Sequence, residues 1–102
     1  MKVEFTGPAV LDLEAIADWI ARDNPIRAYS FVEELRSACM GLGLRPFAYP
    51  FVEHHRTDGI RRRVHGNYLI FYRVEEGKVE ILHILHGARD YERIIFADDD
   101  PG

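Results

Sequence analysis

The sequence predicts a single α+β domain in which a helical hairpin packs on one face of an antiparallel sheet. Three observations predict it. Residues 10–21 and 28–42 each repeat apolar side chains at a helical period. Residues 60–85 hold three short runs dense in aromatic and branched side chains. Gly66-Asn67 and Glu76-Gly77 divide those runs with two-residue turns, which make a meander of fixed register.

Residues 2–5 alternate polar and apolar, the mark of a short strand. Thr6 is placed to cap the helix that follows, and Pro8 suits a first helical turn. Val10, Leu13, Ile16, Ala17, Ile20 and Ala21 then share one face, with Asp12, Glu14, Asp18 and Arg22 off it. Asp12 and Glu14 lie near the helix start, where carboxylates suit the macrodipole. Leu11, Ala15 and Trp19 form a second stripe, which either packs on the next helix or offers a partner surface. Asn24-Pro25 restarts the chain as cap and first position of a second helix. Its apolar face is Ala28, Val32, Leu35, Cys39 and Leu42, with Gly41, Gly43 and Pro46 ending it. So short a connection makes the two helices an antiparallel pair. Residues 46–59 read as a loop. Strands follow over residues 60–65, 68–74 and 79–85, then a short helix over 90–96. The pattern does not say where the first strand joins the sheet.

A chain of 102 residues makes one domain, expected over residues 1–97, with an acidic tail at 98–102 expected to be disordered. Hydrophobic residues are 47% and charged residues 29%, which argues against a disordered chain. No apolar run is long enough to span a bilayer and no secretion signal opens the chain, so a cytoplasmic protein is expected. Cys39 is the single cysteine, which rules out an internal disulfide and reads as a buried, inert thiol. The net charge of −4 argues against a generally basic nucleic-acid binder. Within that acidic chain, Arg56, Arg61, Arg62, Arg63 and Arg73 nevertheless crowd one stretch opposed only by Asp58.

The two tight turns assign side chains to faces, because residues opposite each other on a ladder share a face. Val64, Leu69, Phe71, Leu82 and Ile84 are expected on the side that receives the helices. Arg61, Arg63, His65, Tyr68, Tyr72 and His83 are expected on the other. Such an Arg/His/Tyr surface suits either RNA cleavage by acid–base chemistry or a protein interface. His83 and His86 are three apart and His54-His55 adjacent, spacings that do not build a zinc site on strands. No metal or cofactor is expected.

The segment Arg61-Arg62-Arg63-Val64 through Asn67-Tyr68-Leu69-Ile70-Phe71-Tyr72-Arg73-Val74 resembles the paired central strands of the RelE/ParE toxin superfamily. Residues 79–90, with the ending His86-Gly87-Ala88-Arg89-Asp90, resemble the last strand and the His-Gly-x-Arg-Asp ending of its ParE branch. Residues 12–20, Asp23-Asn24-Pro25 and residues 28–42 match as well, so the resemblance spans about residues 2–96. It implies the toxin of a type II toxin–antitoxin module, neutralised by a ParD-like antitoxin. RelE-type members cut messenger RNA on the ribosome, whereas ParE-type members poison DNA gyrase. Arg63 and Arg89 match arginines that the nucleases use to hold phosphate, and His83 would complete a nuclease set. The position of the nuclease tyrosine is Ile95, however, and the RelE lysine patch is missing, since Lys2 and Lys78 are the only lysines. The resemblance therefore favours a gyrase poison, with Arg61, Arg62, Arg63, Arg89 and Tyr91 as candidate gyrase contacts. An mRNA endonuclease, or a non-toxic member that binds only antitoxin, is the alternative. The antitoxin is expected to lay a short acidic or amphipathic segment along the hairpin and the sheet edge, with Leu11, Ala15 and Trp19 as candidate contacts.

Overall fold

A computed structural model describes residues 1–53 and 56–96. The acidic tail and the His54-His55 pair lie outside those residues. Strand β1 (Lys2–Phe5) leads into α1 (Gly7–Ala21) and α2 (Pro25–Gly41). Strands β2 (Ile60–His65), β3 (Tyr68–Glu75) and β4 (Lys78–His86) follow, and α3 (Tyr91–Ile95) closes the described chain. The sheet order is β1-β4-β3-β2, antiparallel among the last three strands, with β1 parallel to β4.

Local chemistry sets the element ends. Thr6 Oγ1 accepts the Ala9 N–H at 3.2 Å and starts α1. Asn24 Oδ1 accepts the Arg27 N–H at 3.0 Å and starts α2. At the second hairpin Glu76 and Gly77 have φ of 53° and 75°, the paired positive values of a type I′ turn. The expected loop over 46–59 also contains a short pairing onto the sheet, a bridge between Phe51 and Arg61.

Strand β4 carries a bulge. Phe71 pairs with His83 and Tyr72 with Ile81, so Leu82 has no partner on β3. Strand β4 also outruns β1, whose last pair is Phe5 with Ile81. Side chains from the start of α1 bond the outer edge left beyond β1. The Thr6 hydroxyl donates to the Leu82 carbonyl at 3.0 Å, and Asp12 Oδ2 accepts the Ile84 N–H at 2.9 Å.

The helices pack on the side opposite to the one the alternation suggested. Leu13, Ile16, Leu35, Ala38, Cys39 and Leu42 meet Ile70, Tyr72, Val79, Ile81 and Ile84 in the main core. Arg61, Arg63, His65, Tyr68 and Tyr72 share that helix side, through their pairing in register with one another and with Ile70. Leu69, Phe71 and Leu82 face the other way with Ile60 and Leu85, where Val52 and Phe96 complete a second core. Val64, expected inside, is 59% exposed at the sheet edge. Ile84, grouped with Leu82 in the sequence reading, is returned to the helix side by the bulge. Two physical facts explain the inversion. The centre of the helix side is apolar at Ile70 and Tyr72, and the arginines of β2 sit at its margin, where long stems cover apolar surface while the heads find carbonyls.

Candidate functional site

An apolar groove of about 530 Å³ with polar groups at its margin lies between α1 and the ends of β3 and β4. Helix α1 supplies Asp12, Ala15, Ile16 and Trp19. The strands supply Tyr68, Ile84, Leu85 and His86, and Arg89 stands at the rim. Trp19 is 65% exposed and carries the Arg22 guanidinium 5.2 Å from its ring centre. Leu11, one turn before Ala15, is 64% exposed. The Leu11, Ala15 and Trp19 stripe therefore does not bury against α2, which leaves it open to a partner.

Asp12 forms one wall of this groove. Its carboxylate lies 2.8 Å from His83 Nδ1, and the same oxygen accepts the Ile84 N–H. His83 is thus tied to α1 rather than displayed on an open sheet face. In the sequence Asp12 looked like a helix-start carboxylate. What gives it a second use is that β4 runs past β1, and pattern alone did not place β1. Tyr68 joins Phe31 on one side and His86 on the other, with ring centres 5.4 and 5.2 Å away.

The arginines of β2 are used by the fold. Arg61 donates to the Tyr49 carbonyl at 2.7 Å and lies 4.0 Å from the Phe51 ring and 5.4 Å from the Phe47 ring. Arg63 donates to the Ala38 carbonyl at 2.8 Å and lies over Tyr49 at 5.1 Å. With the Tyr72 hydroxyl, which donates to the Pro46 carbonyl at 2.9 Å, they pin the chain between α2 and β2. Arg62 points to the far side and donates to the Tyr91 hydroxyl at 3.3 Å, while the Tyr91 ring packs 5.0 Å from Phe71. Arg89 is exposed.

These placements divide the candidate sets. The nuclease candidates do not gather: Arg63 lines a cleft with α2, His83 bonds to α1, and Arg89 lines the groove. Ile95 is half-buried against the far-side core. Of the five gyrase candidates, Arg62 and Tyr91 touch, Arg61 and Arg63 brace the loop, and Arg89 stands apart beside Trp19. Burial pushes the Cys39 thiol up to about 12, opposed in part by Arg63 and Arg36, which is the inert state expected of it. Burial also raises Tyr72 above the usual tyrosine range, with Arg61 opposing. Among the described residues no three His, Cys, Asp or Glu side chains converge to hold a metal, and no helix is long and apolar enough to cross a membrane.

Fold and groove define a small α+β domain that presents an apolar groove, with Asp12 and Arg89 among its lining, beside a helical hairpin. Residues 3–91 match the family model of the ParE toxin of the type II toxin–antitoxin system parDE, and the chain belongs to that family. A chain of the chromosomal ParDE system from P. aeruginosa has the same fold, with a TM-score of 0.74 at 23% identity over 84% of this chain and 95% of that one. A chain of the RelBE2 toxin–antitoxin complex from Mycobacterium tuberculosis aligns with a TM-score of 0.53 at 23% identity, over 83% of this chain and 95% of that one. No curated protein matches the chain at a significant level.

Proposed function

We propose that this toxin poisons DNA gyrase in the cytoplasm and is neutralised by a ParD-like antitoxin that docks in the α1 groove. The observation that carries the gyrase reading is the scatter of the nuclease candidates. A ribonuclease needs an acid or base and a phosphate-holding cation at one point. Arg63 stands apart in the cleft with α2, His83 is tied up by Asp12 at the wall of the groove that Arg89 lines, and Ile95 stands where the related nucleases have a tyrosine. Membership in the ParE family supports the same target. Arg89, exposed and free of any bracing role, is the first gyrase contact to test. Arg61, Arg62, Arg63 and Tyr91 follow, with their effects on folding measured in parallel.

The antitoxin reading rests on the exposed stripe. Leu11, Ala15 and Trp19 follow a helical spacing beside a groove lined by Ile16, Ile84 and Leu85, with Asp12 on one wall and Arg89 and His86 beside it. An amphipathic segment with an acidic residue at the rim fits this arrangement.

The test is a plasmid supercoiling assay with purified gyrase, ATP and the toxin freed of antitoxin. Linear DNA with gyrase attached is the expected product. Normal supercoiling by gyrase in the presence of folded toxin overturns the reading, and ribosome-dependent messenger-RNA cleavage is then the activity to assay.

A further inference from the structure

Helix α2 is amphipathic on the inside and unexpectedly apolar on the outside. Ala28, Leu35, Ala38 and Cys39 turn inward and are buried. On the opposite side Ile26, Tyr29, Glu33, Ser37 and Met40 follow one another at intervals of three or four, which makes one stripe. The chain then continues through a turn in which the Leu44 N–H donates to the Gly41 carbonyl at 3.1 Å. Leu44, Ile26 and Tyr29 are the three most exposed large apolar side chains among the described residues, Leu44 at 89% and Ile26 at 84%.

The stripe is symmetric about its middle. Ile26 and Tyr29 stand at one end, Met40 and Leu44 at the other. Glu33 and Ser37 hold the centre, with Arg36 beside them. Within one chain Glu33 and Arg36 meet only loosely, at 3.9 Å, and both stay about half exposed. A second α2, laid antiparallel about a two-fold axis near residue 35, answers every one of these groups. It sets Ile26 against Leu44 of the other copy, Tyr29 against Met40, and Glu33 against Arg36, and the two-fold makes each contact twice. Glu34 is held by Arg27 of its own chain at 2.6 Å, so it brings no bare charge to the axis. Parallel pairing would instead set Glu33 against Glu33 and Arg36 against Arg36, so charge selects the antiparallel arrangement.

We propose that the outer face of α2 is a self-complementary surface through which two copies of the free toxin pair as an antiparallel, two-fold dimer. The helix has 17 residues, about 25 Å of length. One helix face of that length lies at the small end of specific interfaces, so the dimer is weak and forms in the micromolar range. None of the six stripe residues lines the α1 groove, so self-pairing and the proposed antitoxin docking draw on different residues. The inference does not depend on which target the toxin attacks.

The experiment is sedimentation equilibrium of the full chain freed of antitoxin, from about 1 to 100 μM. A reversible monomer–dimer equilibrium is expected. Leu44→Glu sets a carboxylate against the other copy's Ile26 and should weaken the dimer at least about tenfold. Glu33→Arg and Arg36→Glu, each made alone, set like charges across the axis and should weaken it as well. An equimolar mixture of those two variants should associate again, because a chain with one change complements a chain with the other. Recovery in the mixture also shows that both variants fold. The proposal is overturned if the unaltered chain stays monomeric throughout, whether or not antitoxin or gyrase then covers the stripe. It is equally overturned if Leu44→Glu leaves the dimer unchanged, or if mixing the charge variants restores nothing. Association that continues past the dimer overturns it too, since a two-fold contact closes on itself. Neither result of the supercoiling assay bears on these outcomes, so failure here leaves the toxin reading intact.

Discussion

The two faces of the sheet are covered in different ways. On one face, α1 and α2 contribute long, regular elements that bury Leu13, Ile16, Leu35 and Cys39 over Ile70 and Tyr72. On the other, Leu69 and Phe71 are covered by Val52 from the long loop, by the five-residue helix α3 and by Phe96 just after it. The thinner cover depends on fewer residues, so each one matters more. It also recruits Tyr91, Ile94 and Ile95 into holding the fold together. Removing residues 91–102 as a toxicity test would therefore mix loss of a target contact with loss of the core.

The largest effect that would sharpen this contrast is expected from Phe96→Ala. Phe96 is 6% exposed, and truncation should cost about 3–5 kcal/mol. Chemical denaturation would measure it, and a cost below about 1 kcal/mol would mean that α3 rests on the sheet without supporting it.

The helix side is probed through Cys39. Its thiol pKa is raised in the folded protein, so the unfolded chain loses that proton first as pH rises. Stability should fall from about pH 9, near the ordinary thiol value, toward about 12, and Cys39→Ala should remove part of that slope. Identical alkaline unfolding of the two proteins would contradict the burial of the thiol.

Next in size is Arg63→Ala, which leaves the Ala38 carbonyl without its donor and frees Tyr49. It should cost about 1–2 kcal/mol and speed amide exchange across residues 45–51. A variant that keeps full stability but loses gyrase poisoning would instead make Arg63 a target contact.

Trp19→Ala and Arg89→Ala are expected to change stability least, within about 0.5 kcal/mol, because neither side chain supports the fold. Both should weaken antitoxin binding, measured by calorimetry, and Arg89→Ala should also reduce gyrase-linked DNA. Unchanged antitoxin affinity in both variants would move the docking site away from the α1 groove.

Much of the fold was legible in the sequence because its signals are local. Thr6 and Asn24-Pro25 mark helix starts, and Gly66-Asn67 and Glu76-Gly77 fix two hairpins within a residue of the observed strand ends. Grouping of side chains by face was correct along β2 and β3, since both run without interruption. It failed in β4, because Ile81-Leu82-His83 has no composition that betrays a bulge. Which side receives the helices was also hidden. Arg61, Arg63 and His65 read as solvent-facing, and only the three-dimensional margin of the helix layer shows where their heads can end. Of the candidate site, the stripe Leu11, Ala15 and Trp19 was visible as a second periodicity. The use of Asp12 was not, because it depends on a strand ending elsewhere in the chain.

The bulge at Leu82 has a consequence for how β4 can vary in length. Up to Ile81 the odd-numbered residues, Val79 and Ile81, meet the helices, and after it the even-numbered residue Ile84 does so. The strand is thus written in two phases joined at one residue. Removing that residue would restore a regular ladder on paper while displacing one half of the strand by a step, parting Asp12 from the Ile84 N–H or shifting the hairpin at Glu76-Gly77. Substitutions along β4 are therefore easier for this fold to absorb than a change of one in its count of residues.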